Sequence, residues 1–215
     1  MTPLAANWVT ISALATAAGT LVLALATFAS VRSANRAARV AERSLLAGLR
    51  PVLMPSRPDD PAQKVGFVDD KWLAVKGNCF TADATDEAVY LALSVRNAGT
   101  GIAVLHGWVL FAETQRGDDR RPLPLEDFHR LTRDIYVPAG EVGFWQGVFR
   151  DPSAPEFAEA TTAIRERHTM SLDVLYGDHE GGQRTITRFG LTPKQDGDWV
   201  ASAARYWNVD REDPR

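Results

Sequence analysis

A run of 24 residues without a charge, positions 8–31, constrains this chain more than any other feature. The run reads WVTISALATAAGTLVLALATFASV. A hydrocarbon core of about 30 Å is crossed by about 20 apolar residues in a helix, so the run is long enough to span a bilayer. A buried helix of a soluble protein would show a polar face, and none occurs here. Its richness in Ala and Thr makes it a weaker span than a Leu-rich one. Trp8 stands where an interfacial aromatic anchors such a helix. A cleaved signal peptide would begin with basic residues and carry an apolar core of about 7–15 residues. Residues 1–7 hold no Lys or Arg and the apolar core is longer, so a retained span is expected.

Positive charge follows the run. Arg32, Arg36, Arg39, Arg43 and Arg50 lie within about 20 residues of its downstream end, which the positive-inside rule places in the cytoplasm. Residues 1–7 are then a short extracytoplasmic N-terminus, 8–31 the transmembrane helix and 32–50 a basic juxtamembrane helix, ended by Gly48 and Pro51. Spacings of 4, 3 and 4 put Arg32, Arg36, Arg39 and Arg43 on one stripe, suited to anionic lipid headgroups. Gly19 with flanking Ala and Thr offers a small-residue face for self-association, without a GxxxG pattern.

The rest of the chain is acidic. Residues 1–50 carry a net +4, whereas the other 165 carry 19 basic and 26 acidic residues, a net -7. A body so charged is a poor partner for DNA or RNA. A single cysteine, Cys79, admits no internal disulfide and no Cys-rich zinc site.

After Pro51 the apolar pattern changes from helical to alternating. Strands are expected at 51–54, 65–68, 72–75, 89–97, 102–112, 135–137, 142–149, 170–176, 184–191 and 199–206, separated by turn residues. In 89–97, Val89, Leu91, Leu93 and Val95 alternate with Tyr90, Ala92, Ser94 and Arg96, one face apolar and the other half polar. Gly99 and Gly101 follow as turn glycines suited to positive φ, and Gly107 suggests a bulge. Residues 155–165 read as a helix with Ser153 and Glu156 as its capping box, and 125–132 as a helical turn. Many short strands with few helices predict a mainly β antiparallel β-sandwich over 51–209, with 210–215 a flexible tail.

The stretch Leu93-Ser94-Val95-Arg96-Asn97-Ala98-Gly99-Thr100-Gly101-Ile102-Ala103 resembles a strand signature of bacterial immunoglobulin-like adhesion modules. Tyr136-Val137-Pro138-Ala139-Gly140-Glu141 is similar to a turn in those modules. With its N-terminal helix and Arg50-Pro51 junction, the layout also resembles a group of bacterial single-pass membrane proteins carrying a β-sandwich. The resemblance implies an immunoglobulin-like sandwich and brings no activity. Adhesion modules are mostly extracellular and the arginines put this body inside, so no adhesive role is carried over.

No convergent catalytic set is legible. His106, His129, His168 and His179 are dispersed, and neither a nucleophile elbow nor a phosphate or dinucleotide loop occurs. The densest polar cluster is Tyr176-Gly177-Asp178-His179-Glu180-Gly181-Gly182-Gln183-Arg184. Consecutive strand residues point to opposite faces, so a hairpin loop explains this composition better than a metal centre. Loops at the end of a β scaffold are nevertheless where such folds bind. Asp178, His179, Glu180 and Arg184 are therefore the candidate partner-binding residues, with Trp145 and Trp207 as aromatic anchors. The expected function is a non-enzymatic interaction module at the cytoplasmic face of the plasma membrane. It needs no cofactor and binds lipid through its helix and a protein through its body. The alternative is a ligand- or metal-binding, conceivably enzymatic, domain using the 177–184 hairpin.

Overall fold

In the computed structural model, residues 3–113 and 122–210 are described, and they form two units, 1–47 and 48–215. The first is part of helix α1, Pro3–Gly48, whose 46 residues extend for roughly 70 Å. Its apolar stretch is long and apolar enough to cross a membrane, and none of it is buried. Four of the hydroxyls in the span are satisfied within it. Ser12 donates to the Val9 carbonyl, Thr16 to Ser12, Thr20 to Thr16 and Thr27 to Leu23, at 2.8–2.9 Å. Bonds of this kind let Ser and Thr lie in hydrocarbon without an unpaired polar group. At about 100° per residue, Arg32, Arg36, Arg39 and Arg43 fall within an arc of about 60°, and all four are exposed.

The second unit is mostly antiparallel β. Its strands are β1 (Leu53–Pro55), β2 (Gln63–Gly66), β3 (Trp72–Val75), β4 (Cys79–Ala84), β5 (Val89–Asn97), β6 (Ala103–Phe111), β7 (His129–Val137), β8 (Val142–Phe149), β9 (Met170–Gly177), β10 (Thr185–Pro193) and β11 (Trp199–Asn208). A 3₁₀ turn, Leu125–Asp127, precedes β7, and helix α2, Pro155–Arg165, lies between β8 and β9. Nine strands join in one sheet that curls as a half-barrel, in the order β1-β5-β4-β11-β10-β9-β6-β7 with β8 on the free side of β5. Strands β2 and β3 form a separate hairpin.

Strand β5 is the centre of this body. Val89, Leu91, Leu93 and Val95 have no exposed surface and enter the main core with Trp108, Trp145, Phe189 and Trp199. Its other face departs from the half-polar expectation. Tyr90 and Ala92 are buried with Val65, Phe67, Leu73 and Val75 of the β2/β3 hairpin, which covers that face. A third cluster, Phe128, Leu175, Ile186 and Trp207, lies apart from these. Beside it Asp173 and Arg188, opposite one another in register, form a buried bidentate pair, Nε to Oδ1 at 2.6 Å and Nη2 to Oδ2 at 2.7 Å. The guanidinium lies 5.0 Å from both the Phe111 and Trp207 ring centroids.

Residues 97–101 do something other than the expected turn. Neither Gly99 nor Gly101 has positive φ. They are small because the chain at 49–52 passes directly over them: a Cβ on Gly101 would collide with the Leu49 carbonyl, and one on Gly99 with that of Arg50. Asn97, fully buried, ties the crossing together. Its Nδ2 donates to the Gly101 carbonyl (2.6 Å) and the Val137 carbonyl (3.0 Å), and its Oδ1 accepts from Val52 N–H (3.1 Å) and Gly99 N–H (3.0 Å). α2 has the expected bounds, Pro155–Arg165, but Ser153 donates to Asp151 (2.6 Å) instead of capping it. β7 begins at His129, where a helical turn was expected. Gly107 does mark a break in register, between β6 and both its neighbours.

Candidate functional site

The 177–184 hairpin is built around a buried carboxylate. Asp178 accepts from Gly182 N–H (2.9 Å) and from Gln183 Nε2 (3.1 Å), and Gly181 turns the chain at φ +76°. His179 and Glu180 stand on the exposed tip, 3.2 Å apart. Arg184 is held by Asp210, through Nε and Nη2 and through its backbone N–H. That carboxylate beside it raises the Arg184 pKa, and Arg184 in turn lowers that of Asp210. Asp178 thus belongs to the hairpin's internal frame, whereas His179 and Glu180 face solvent. Among the described residues no group of three His, Cys, Asp or Glu is placed to hold a metal ion.

Trp145 and Trp207, named from the sequence as aromatic anchors, are both buried. Trp145 has no accessible surface and meets Trp108 edge-on at 5.3 Å. Trp207 is 4% exposed, in a cluster that does not contain Trp145. Phe144, its neighbour in β8, is partly exposed, because Trp145, Gly147 and Phe149 are the residues β8 turns to the core. Cys79 is also buried, and desolvation pushes its thiol pKa up, away from reactivity.

A concavity lies elsewhere, where β7 and β8 run side by side. Residues 138–141 connect them, yet each pairs with a different strand, β7 with β6 and β8 with β5. The sheet stays open between them. A cavity of about 160 Å³ there is lined by Trp108 and His129 at one end, Arg130, Leu131, Thr132 and Arg133 along β7, and Gln146, Gly147 and Val148 along β8. A second, of about 480 Å³, shares Thr132, Arg133 and Gln146 and reaches Lys64, Val68 and Trp72 of the β2/β3 hairpin. The two meet where Arg133 Nη2 donates to Gln146 Oε1 across the gap (2.7 Å). Arg133 also lies 5.6 Å from the centroid of Phe144, and Lys64 4.7 Å from that of Trp72.

A bulge shapes this cleft. β6 pairs Leu105 with Ile135 and then Gly107 with Arg130, so residues 131–134 of β7 face a single residue of β6. Extra residues of this kind bend a strand and re-aim its side chains. Gly147 has a matching role, since a Cβ there would approach Trp145 to 2.8 Å and Trp108 to 2.9 Å. None of the cleft's β7 residues was singled out from the sequence except His129. The available signal was negative: Arg130 and Arg133 spoil strand alternation at a place where flanking patterns are clear. Compared with protein-family models, with curated proteins and with solved structures, the chain matches none.

Proposed function

We propose that this chain is a single-pass membrane protein whose β domain stands at the cytoplasmic face of the plasma membrane and binds a protein partner without catalysing a reaction. The observation that carries the anchoring is α1, an unburied apolar helix in which Thr16, Thr20 and Thr27 bond to its own carbonyls. The exposed stripe of Arg32, Arg36, Arg39 and Arg43 just beyond its uncharged run supports the orientation. In the same reading those arginines contact anionic headgroups. The immunoglobulin-like character is part of the proposal too. It is supported by the two motifs that carry the resemblance lying against each other, with Asn97 N–H bonded to the Glu141 carbonyl and Gly140 N–H to that of Asn97.

Partner binding is supported by the open cleft between β7 and β8 and by the exposed tip residues His179 and Glu180. The ligand- or metal-binding reading of the 177–184 hairpin draws no support from its geometry, because both Asp178 oxygens are engaged within the loop. The test is chemical crosslinking in intact cells followed by purification of the full chain from membranes. One protein recovered repeatedly, and lost when the β domain is unfolded by mutation, is the expected result. Repeated recovery of nothing beyond background contradicts it.

A further inference from the structure

We infer that the cleft between β7 and β8 receives an extended acidic peptide segment of the partner, laid along the open strand edges. This rests on the partner-binding reading above and names the partner's chemistry. Three observations support it. The first is backbone. Two strands joined by a four-residue connection would ordinarily pair, but β7 bonds to β6 and β8 to β5, so among the described residues both facing edges lack a strand. In antiparallel pairing every second residue turns its N–H and C=O to one side. Half of the β8 backbone groups therefore point into the cleft, a template for an added strand.

The second is charge. Lys64, Arg130 and Arg133 line the two cavities together with His129, and among the described residues no Asp or Glu lines either. Among the described residues none of these three cations is ion-paired with a carboxylate, although most basic side chains elsewhere on the domain are. Asp134, the acid nearest along β7, turns to the Tyr136 hydroxyl (3.5 Å). In a body of net -7 this is a deliberate exception. Basic rims of this kind steer acidic partners and set their register.

The third is apolar. Trp72 is 55% exposed and Val68 92% exposed at one end of the cleft, and Phe144, partly buried against the core, shows the rest of its ring along it. An extended segment alternates its side chains, so one set, acidic, would meet the arginines, while Phe144 and Trp72 flank Arg133 on that same side and add apolar surface to the site. The Arg133 to Gln146 bond closes the gap at its middle, and a carboxylate would take the guanidinium from Gln146.

The experiment uses the full chain in detergent micelles and fluorescence anisotropy with a labelled peptide of alternating Glu and Val. Its controls are the same peptide with Lys for Glu, and with Pro at every second position to remove N–H donors. Binding of the Glu/Val peptide alone is expected, weakened about tenfold or more by R130E/R133E and by raising salt from about 50 to about 500 mM. Both arginines are exposed, and an unchanged melting temperature shows that the variant is folded. Equal binding of the Lys peptide, no effect of the charge reversal, or no binding overturns the proposal. So does loss of a dimer, seen by light scattering, or of anionic-vesicle binding, in R130E/R133E without peptide binding, which assigns the cleft to a second copy or to lipid. A photo-crosslinker at Val148 separates this from the parent reading. Capture of a partner through an acidic stretch supports both. Capture only from a crosslinker at His179 leaves the parent reading standing and overturns the cleft.

Discussion

Replacing Asn97 by Ala should be among the most damaging single changes outside the apolar core. The side chain makes four hydrogen bonds to backbone, two donated and two accepted, and it has no exposed surface. Truncation leaves the Gly101 and Val137 carbonyls and the Val52 and Gly99 amides without this partner. An orphaned buried group costs about 1–3 kcal/mol. The two carbonyls lie at buried bonds, while the two amides lie at part-buried ones that water reaches more readily. The sum comes to about 3–5 kcal/mol, a large share of the roughly 5–15 kcal/mol that stabilises a domain. Asn97→Asp is a sharper probe. It keeps the acceptor for Val52 and Gly99 but sets a carboxylate against two carbonyl oxygens. Protonation restores one donor, so this variant should recover stability as pH falls, opposite to the trend of the parent chain. Urea unfolding of the full chain in micelles, read by tryptophan emission, measures both, since five of the six tryptophans lie beyond residue 50. A cost below about 1 kcal/mol for Asn97→Ala, or an Asp variant that only loses stability in acid, refutes the reasoning.

Other consequences are equally direct. Asp69 is bonded by Arg150 (2.8 Å) and by the Tyr90 hydroxyl, which hold its pKa down at about 2 from 3.8. A depressed carboxylate stabilises the fold above its unfolded pKa and loses that contribution as pH falls through the folded one. The gap in melting temperature between wild type and Asp69→Asn should therefore close between about pH 4 and pH 2. Removing one member of the buried pair, by Arg188→Met or Asp173→Leu, should cost about 3–5 kcal/mol in urea unfolding. The double variant should recover most of that loss, because an unpaired buried charge, and not the missing bond, dominates it. Trp145 and Trp199 are both fully buried, but Trp199 Nε1 donates to the His168 carbonyl (2.9 Å) whereas Trp145 Nε1 has no partner among the described residues. Trp199→Phe should thus cost about 1 kcal/mol more than Trp145→Phe by thermal unfolding.

What could be read from the residues was whatever a local period encodes. The apolar run and its arginines announce α1, and Val89, Leu91, Leu93 and Val95 announce β5. Strand β4 escaped because Cys79-Phe80-Thr81-Ala82-Asp83-Ala84 does not alternate: its first two residues are buried and the rest only partly so. The start of β7 escaped because an edge strand with a bulge carries charge on both faces. Which strands pair is not a local property either, so one curled nine-stranded sheet could not be told from two facing ones. Gly99 and Gly101 were correctly picked out as special, but the cause, a chain crossing from residues 49–52, is a contact between distant segments. The hairpin shows the same limit. Asp, Gly and Gly marked a turn at 178–182, while the burial of Asp178 is visible only once Gln183 folds against it.

The proposed role requires α1 to lie in lipid with the β domain on the inner side. Val68 is 92% exposed and Cys79 buried, so a Val68→Cys variant, with Cys79 changed to Ser, offers one surface thiol among the described residues. An impermeant maleimide is added to intact cells and, separately, to permeabilised ones, with the chain followed through membrane sedimentation. Labelling only after permeabilisation, on protein that sediments with membranes until detergent is added, is the predicted result. Labelling of intact cells, or protein that remains in the supernatant without detergent, contradicts it.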